Sequence, residues 1–191
     1  MQNFLNLWPS YMSFSQFDGD VSAIKELVLN EHSNNAPTLE STTTVNGTQV
    51  NPSVDPWNWK HEEWSPVKKF IQDSLKEYST TVYPFAESAI PEVKRSWTLV
   101  YDEEGYQQPH CHPQMDLSLL FVLQSSSSGG EIVFTNPALQ SSYTNYQPYS
   151  QTFQLTAGDL LIWPAWFLHY TLPTKGPLQK IVVSFDARLY E

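Results

Sequence analysis

From Ser96 to Ala187 the chain repeats one plan, a short apolar or alternating run followed by a turn. The runs are Ser96–Tyr101, Leu117–Leu123, Glu131–Thr135, Gln151–Leu155, Asp159–Trp163, Phe167–Thr171 and Gln179–Ala187. Gly129-Gly130 and Ala157-Gly158-Asp159 are among the turn signals between them. Strands this short cannot bury a face alone, and their even spacing predicts a sandwich or barrel. The first half reads differently. Asp18-Gly19-Asp20 offers helix caps, and Val21, Ile24, Leu27 and Val28 follow at helical spacing, which predicts a helix from about residue 20 to His32. Ser65-Pro66 opens a second helix with proline in its first turn. Val67, Phe70, Ile71, Leu75 and Tyr78 form its buried stripe, and it stops before Pro84. Two helices followed by about eight strands is an α+β layout, mainly β. We read residues 1–191 as one domain, with an N-terminal strand, helices and loop over 1–92 and the β core over 93–191.

The connecting segments carry further expectations. Asn3–Phe14 is aromatic and apolar, interrupted by Pro9, and reads as an extended piece packed on the body. Asn34–Val54 lacks periodicity and reads as a loop or two short irregular strands, of a length that suits a lid or insertion. Trp57, Trp59 and Trp64 would anchor it to the core. Gln124–Gly130 reads as a flexible hairpin turn, Asp102-Glu103-Glu104 as a solvated turn, and Asn136–Ser150 as either a surface loop or a substrate wall.

Charge and composition exclude several classes. A net charge of −10 with no Lys/Arg cluster argues against a nucleic-acid surface. The single cysteine, Cys111, rules out an intramolecular disulfide framework. No apolar run approaches membrane length, and Met1–Tyr11 lacks the pattern of a signal peptide, so a cytoplasmic protein without membrane partners is expected.

The chemistry gathers at His110-Cys111-His112 and at His169, which lies just past the apolar run ending in Trp163. On a strand, residues i and i+2 share a face, so His110 and His112 can aim at one point and a later strand can bring His169 to it. Three side chains on one side of a metal, with the other positions open, suit a non-haem iron site. The same alternation turns Cys111 away, which predicts a buried, inert thiol. His32 and His61 are assigned no role.

With Tyr101-x-x-x-Gly105, His110-x-His112-Pro113, Leu117-Ser118, Trp163-Pro164-x-Trp166-x-x-His169, and Lys180 leading to Ser184-Phe185-Asp186, residues 96–187 resemble the iron(II)/2-oxoglutarate-dependent oxygenases. They look most like a branch with a His-x-His-Pro motif. The resemblance implies a double-stranded β-helix, or jelly roll, using Fe(II) and 2-oxoglutarate and acting as a hydroxylase; the substrate is not read from the sequence, and a small molecule, a peptide or a protein side chain is open. It implies His110 and His169 as metal ligands, with the third either His112 or Asp116. The i, i+2 geometry favours His112. Lys180 stands where the family has a basic residue, usually Arg, that grips the distal carboxylate of 2-oxoglutarate, and Tyr101 is a candidate helper. Val182 stands where the family often has a hydroxyl. Two other readings are open: a three-histidine cupin-type metalloenzyme that does not use 2-oxoglutarate, and a non-catalytic jelly-roll binding module. Nothing in the sequence decides the oligomeric state, and a homodimer is compatible with it.

Overall fold

The computed structural model describes residues 10–34, 43–50, 55–83, 91–138 and 148–189. Strand β1 (Ser13–Gln16) precedes helix α1 (Ser22–Asn34), strand β2 (Thr44–Val50), a 3-10 turn at Pro56–Asn58 and helix α2 (Trp64–Val82). Nine further strands follow: β3 (Glu92–Gln107), β4 (Leu117–Gln124), β5 (Ser128–Gly129), β6 (Ile132–Thr135), β7 (Ser150–Phe153), β8 (Asp159–Pro164), β9 (His169–Thr171), β10 (Thr174–Lys175) and β11 (Lys180–Arg188). The large sheet has the order β1-β8-β4-β11-β3-β2, the small one β7-β6-β9, and β10 pairs with β5. Neighbouring strands run antiparallel. The architecture is the expected one, mainly β with a jelly-roll core and two helices before it.

Alternation along the strands builds two apolar layers. On β11, Ile181, Val183 and Phe185 join Ile24 and Val28 of α1 and Val67, Ile71 and Leu75 of α2 in one core. Leu119 and Phe121 of β4 and Leu160 and Ile162 of β8 complete it. Their sequence neighbours Leu120, Val122, Leu161, Trp163 and Val182 turn the other way, toward Ile132 and Phe134 of the small sheet. The helices therefore plug one face of the large sheet, and the space between the sheets is left for the site. Trp64 is fully buried and stacks on Phe185 with ring centroids 6.2 Å apart, while Trp59 meets Trp64 edge-on at 5.5 Å. These tryptophans pack in the core as the sequence suggests.

Several segments depart from the sequence reading. Within 34–54, read as a loop or two short irregular strands, Thr44–Val50 is one strand on the edge of the large sheet, because β3 is long enough to offer it a partner. Asp102, Glu103 and Glu104 are solvated but lie within β3, not in a turn. A bulge between Val45 and Gly47 absorbs the irregularity there, next to Glu104 at φ 62°. The 124–130 tract is no simple hairpin. Its Ser128–Gly129 pairs with Thr174–Lys175, and Gly129 and Gly130 take φ of 71° and 72°. Of the two segments read as extended and as a possible wall, residues 3–9 and 139–147 lie outside the described residues. Among the described residues no helix is long and apolar enough to cross a membrane.

Candidate metal centre

The three histidines come from two chain segments pinned to each other. His110 lies beyond the end of β3, and it forms a two-way backbone bridge with His169, the first residue of β9. The bridge bonds are His110 N to His169 O at 2.9 Å and His169 N to His110 O at 3.0 Å. His112 is tied by its N–H to Ala165 O at 2.8 Å, in the turn that leaves β8. The pair is thus carried by an irregular segment, held by bonds to the β8–β9 connection instead of a continuous ladder. That is why the alternation rule fails at Cys111. The thiol is exposed and lines the same cavity as its neighbours, contrary to the buried, inert reading.

The ligand atoms of His110, His112 and His169 all lie within 4.8 Å of one another. Each Nδ1 faces an oxygen: Gln108 O at 2.7 Å from His110, Asp186 Oδ2 at 3.0 Å from His112, and Phe167 O at 2.9 Å from His169. A carbonyl can only accept, so His110 and His169 carry their proton on Nδ1, and a carboxylate asks the same of His112. That tautomer leaves every Nε2 lone pair free for a metal. The Nε2 of His112 is buried and has no hydrogen-bond partner among the described residues. Burial pushes the His169 imidazole down to about 3, with the neighbouring His110 adding to it, and burial also lowers His110. Both rings are therefore neutral at neutral pH, the form a metal needs. Trp163 edge-on and Phe134 stacked hold the His169 ring, and Trp97 stacks on His112 at 5.7 Å. A buried imidazole nitrogen without a partner among the described residues, set in a cluster of three histidines, fits a divalent transition ion.

Asp116 is placed elsewhere. It is exposed, its carboxylate accepts Leu189 N at 2.8 Å, its backbone bonds Ala187 and Ala165, and it does not line the cavity. Sequence reasoning assigned no role to Asp186, which is fully buried on β11. Its oxygens sit 2.9 and 3.0 Å from His112 Nδ1, and it accepts Ser118 Oγ at 2.7 Å and Arg95 Nε at 2.5 Å. Burial pushes this carboxyl up, but the bonds from His112 and Ser118 and the Arg95 charge outweigh it, leaving the group below its usual value. The signal was present in the alternation Lys180, Val182, Ser184, Asp186, which puts all four on one face.

The cavity between the sheets has a volume of about 560 Å³ and holds the three histidines together with Tyr101 and Lys180. Lys180 and Tyr101 are register partners on β11 and β3. The Lys180 ammonium is buried, donates to Gly130 O at 2.6 Å and lies 5.8 Å from the Tyr101 ring centroid. Among the described residues no carboxylate pairs with it. Burial lowers it to about 8, partly opposed by Glu131. The Tyr101 hydroxyl donates to Gln107 Oε1 at 3.1 Å, and burial raises it above its ordinary value. A buried cation without a counter-ion, in a cavity shared with neutral imidazoles, is suited to an organic anion. The Nε1 of Trp163, also at this cavity, has no acceptor among the described residues.

Comparisons with known proteins agree with this geometry. The chain superposes on a prolyl-4-hydroxylase from Pseudomonas putida with a TM-score of 0.64 at 11% identity, covering 94% of this chain and 93% of that one. A prolyl hydroxylase from Trichoplax adhaerens, in complex with a hypoxia-inducible-factor peptide fragment, gives 0.67 at 10% identity over 93% and 83%. HygX from Streptomyces hygroscopicus, with nickel, 2-oxoglutarate and hygromycin B bound, gives 0.57 at 10% identity over 94% and 83%. At these identities the likeness establishes the fold, the double-stranded β-helix of this class of enzyme. A search by sequence against curated proteins returns no significant match. The sequence of residues 95–186 matches the family described as "Putative 2OG-Fe(II) oxygenase". Over those residues the jelly-roll core carries the sequence pattern of the Fe(II)/2-oxoglutarate-dependent oxygenases, a family of oxidoreductases.

Proposed function

We propose that this chain is a hydroxylase in which His110, His112 and His169 hold Fe(II) and Lys180 grips the distal carboxylate of 2-oxoglutarate. The observation that carries this reading is the pairing, in one cavity, of three clustered imidazoles, each with Nδ1 turned to an oxygen, and a buried lysine that no carboxylate pairs with among the described residues. His112 is preferred to Asp116 as the third ligand because its Nε2 is orphaned in the cluster, whereas the Asp116 carboxylate is engaged outside it. When bound, the iron supplies the activation of O₂ that couples decarboxylation of the 2-oxo acid to oxidation of a C–H bond.

The chain's own residues orient and exclude. Gln108 O, Asp186 and Phe167 O set the orientation of the three rings, turning each Nδ1 away from the ion and leaving each Nε2 for it. Lys180 offers one point charge to a carboxylate, and Tyr101 lies beside it, its hydroxyl held by Gln107. Ile132, Leu120 and Val182 give the cavity apolar lining, which disfavours water there. The substrate is a small molecule or a peptide side chain, entering past the exposed rim at Cys111.

The test is anaerobic addition of Fe(II) and then 2-oxoglutarate, with the visible charge-transfer absorption as readout. A band in wild type that is lost in His169→Ala, and that needs far more 2-oxoglutarate in Lys180→Ala, is expected. Iron binding without a band would favour the three-histidine cupin-type alternative, which the all-imidazole donor set also suits. Absence of iron binding would leave only a binding module.

A further inference from the structure

A divalent ion held by three neutral imidazoles keeps its full charge in a largely apolar barrel, where uncompensated charge is expensive. Among the described residues no Asp or Glu lines the cavity. Asp186 lies one hydrogen bond behind it, with both carboxylate oxygens within 3.0 Å of His112 Nδ1. We propose that Asp186, acting through His112, supplies the negative charge that a directly bound carboxylate would otherwise bring. The proposal rests on the reading of the three histidines as the metal site.

The surroundings of Asp186 favour this role over that of a simple structural staple. Ser118 at 2.7 Å and Arg95 at 2.5 Å already hold the carboxylate from the strands on either side of β11. Its bond to His112 adds a link to a ring whose other nitrogen is buried and has no partner among the described residues. An Nδ1–H donated to a carboxylate makes the opposite nitrogen a stronger donor to metal and fixes the ring's orientation. Asp186 thus acts as a positioning and charge-supplying residue that does not itself touch the ion.

The experiment titrates Co(II) into the metal-stripped full chain and follows its visible d–d absorption. The variants are Asp186→Asn, His112→Asp, the double variant and His169→Ala. Asn retains the size of Asp and an oxygen to accept from His112, and loses the charge. Asp186→Asn should weaken Co(II) binding by about 10- to 100-fold. In the His112→Asp background the same change should leave binding unchanged or tighten it, because a direct carboxylate is then present and Asp186 only repels it. A structural role would weaken both backgrounds alike, and that result overturns the proposal, as does wild-type affinity in Asp186→Asn. Should Asp186→Asn not fold, Arg95→Gln serves at an exposed position. Removing the cation that shares the carboxylate should tighten Co(II) several-fold, and unchanged or weaker binding overturns the proposal. Equal Co(II) binding by wild type and His169→Ala would instead refute the three-histidine site itself.

Discussion

Replacing Lys180 by methionine removes the buried cation of the cavity with little change in volume. Lys180 is 4% exposed, so water cannot readily take its place beside a bound carboxylate. Truncating one partner of a buried charge pair costs about 2–5 kcal/mol, and about 3 kcal/mol corresponds to a loss of roughly 150-fold in affinity. The lysine also predicts a pH dependence. Burial holds its pKa at about 8 in the free protein, so it is mostly charged at pH 7 and mostly neutral at pH 9. Because only the charged fraction is competent, the apparent Kd for 2-oxoglutarate should rise about tenfold between those values. Lys180→Arg should flatten that rise, since guanidinium stays charged. Stability of the ligand-free protein should move the other way. The folded value lies below the ordinary 10.5, so the unfolded chain binds more protons between about 8 and 10.5, and stability from this group rises with pH across that window. Calorimetric titration of 2-oxoglutarate into the Ni(II)-loaded protein at pH 7, 8 and 9 checks the binding side. A Kd flat with pH in wild type, or unchanged in Lys180→Met, would refute the assignment of Lys180 as the clamp.

Other perturbations test the frame around the site. Gly130→Ala places a Cβ at φ 72°, 2.8 Å from Ser126 Oγ and 3.3 Å from Lys180 Cδ. It should cost about 1–2 kcal/mol in urea unfolding for the left-handed backbone and should also weaken 2-oxoglutarate binding by displacing Lys180. Trp64→Ala opens the fully buried junction of α2 with β11 and should cost about 3–5 kcal/mol by the same measurement. His32 is held at about 4 by burial, with its Nε2 bonded to Thr98 Oγ1 at 2.8 Å. Its folded value is below 6.5, so the stability it contributes is present above pH 6.5 and is lost as pH falls through about 4. His32→Gln should remove that part of the acid sensitivity, read as a smaller drop in Tm between pH 7 and 5.

Element order and the faces of the long elements were legible in the sequence. The stripe Val67, Ile71, Leu75 and Tyr78 of α2 is buried as its spacing predicts, and the runs at 117–123, 159–163 and 179–187 are strands of the large sheet. Periodicity reports a buried face well because every turn or pleat repeats the same choice. The edge strand β2 escaped it. A Thr- and Asn-rich segment becomes a strand only when a neighbour as long as β3 offers it unpaired backbone groups.

At the centre, residue type and spacing alone pointed to His110, His112 and His169 as a cluster, and the alternation on β11 set Lys180 and Asp186 on one face. Tertiary structure decided the rest. The exposure of Cys111 follows from the His110–His169 bridge and the His112–Ala165 bond, which replace a regular strand with a segment tied to the β8–β9 connection. The link from Asp186 to His112 joins side chains far apart in sequence, and the Lys180 bond to Gly130 depends on a left-handed glycine in another connection. Local sequence dictates which way a side chain points within its own element. Which partner it meets there depends on how distant elements pack, because a hydrogen bond across the barrel is decided only once both walls are in place.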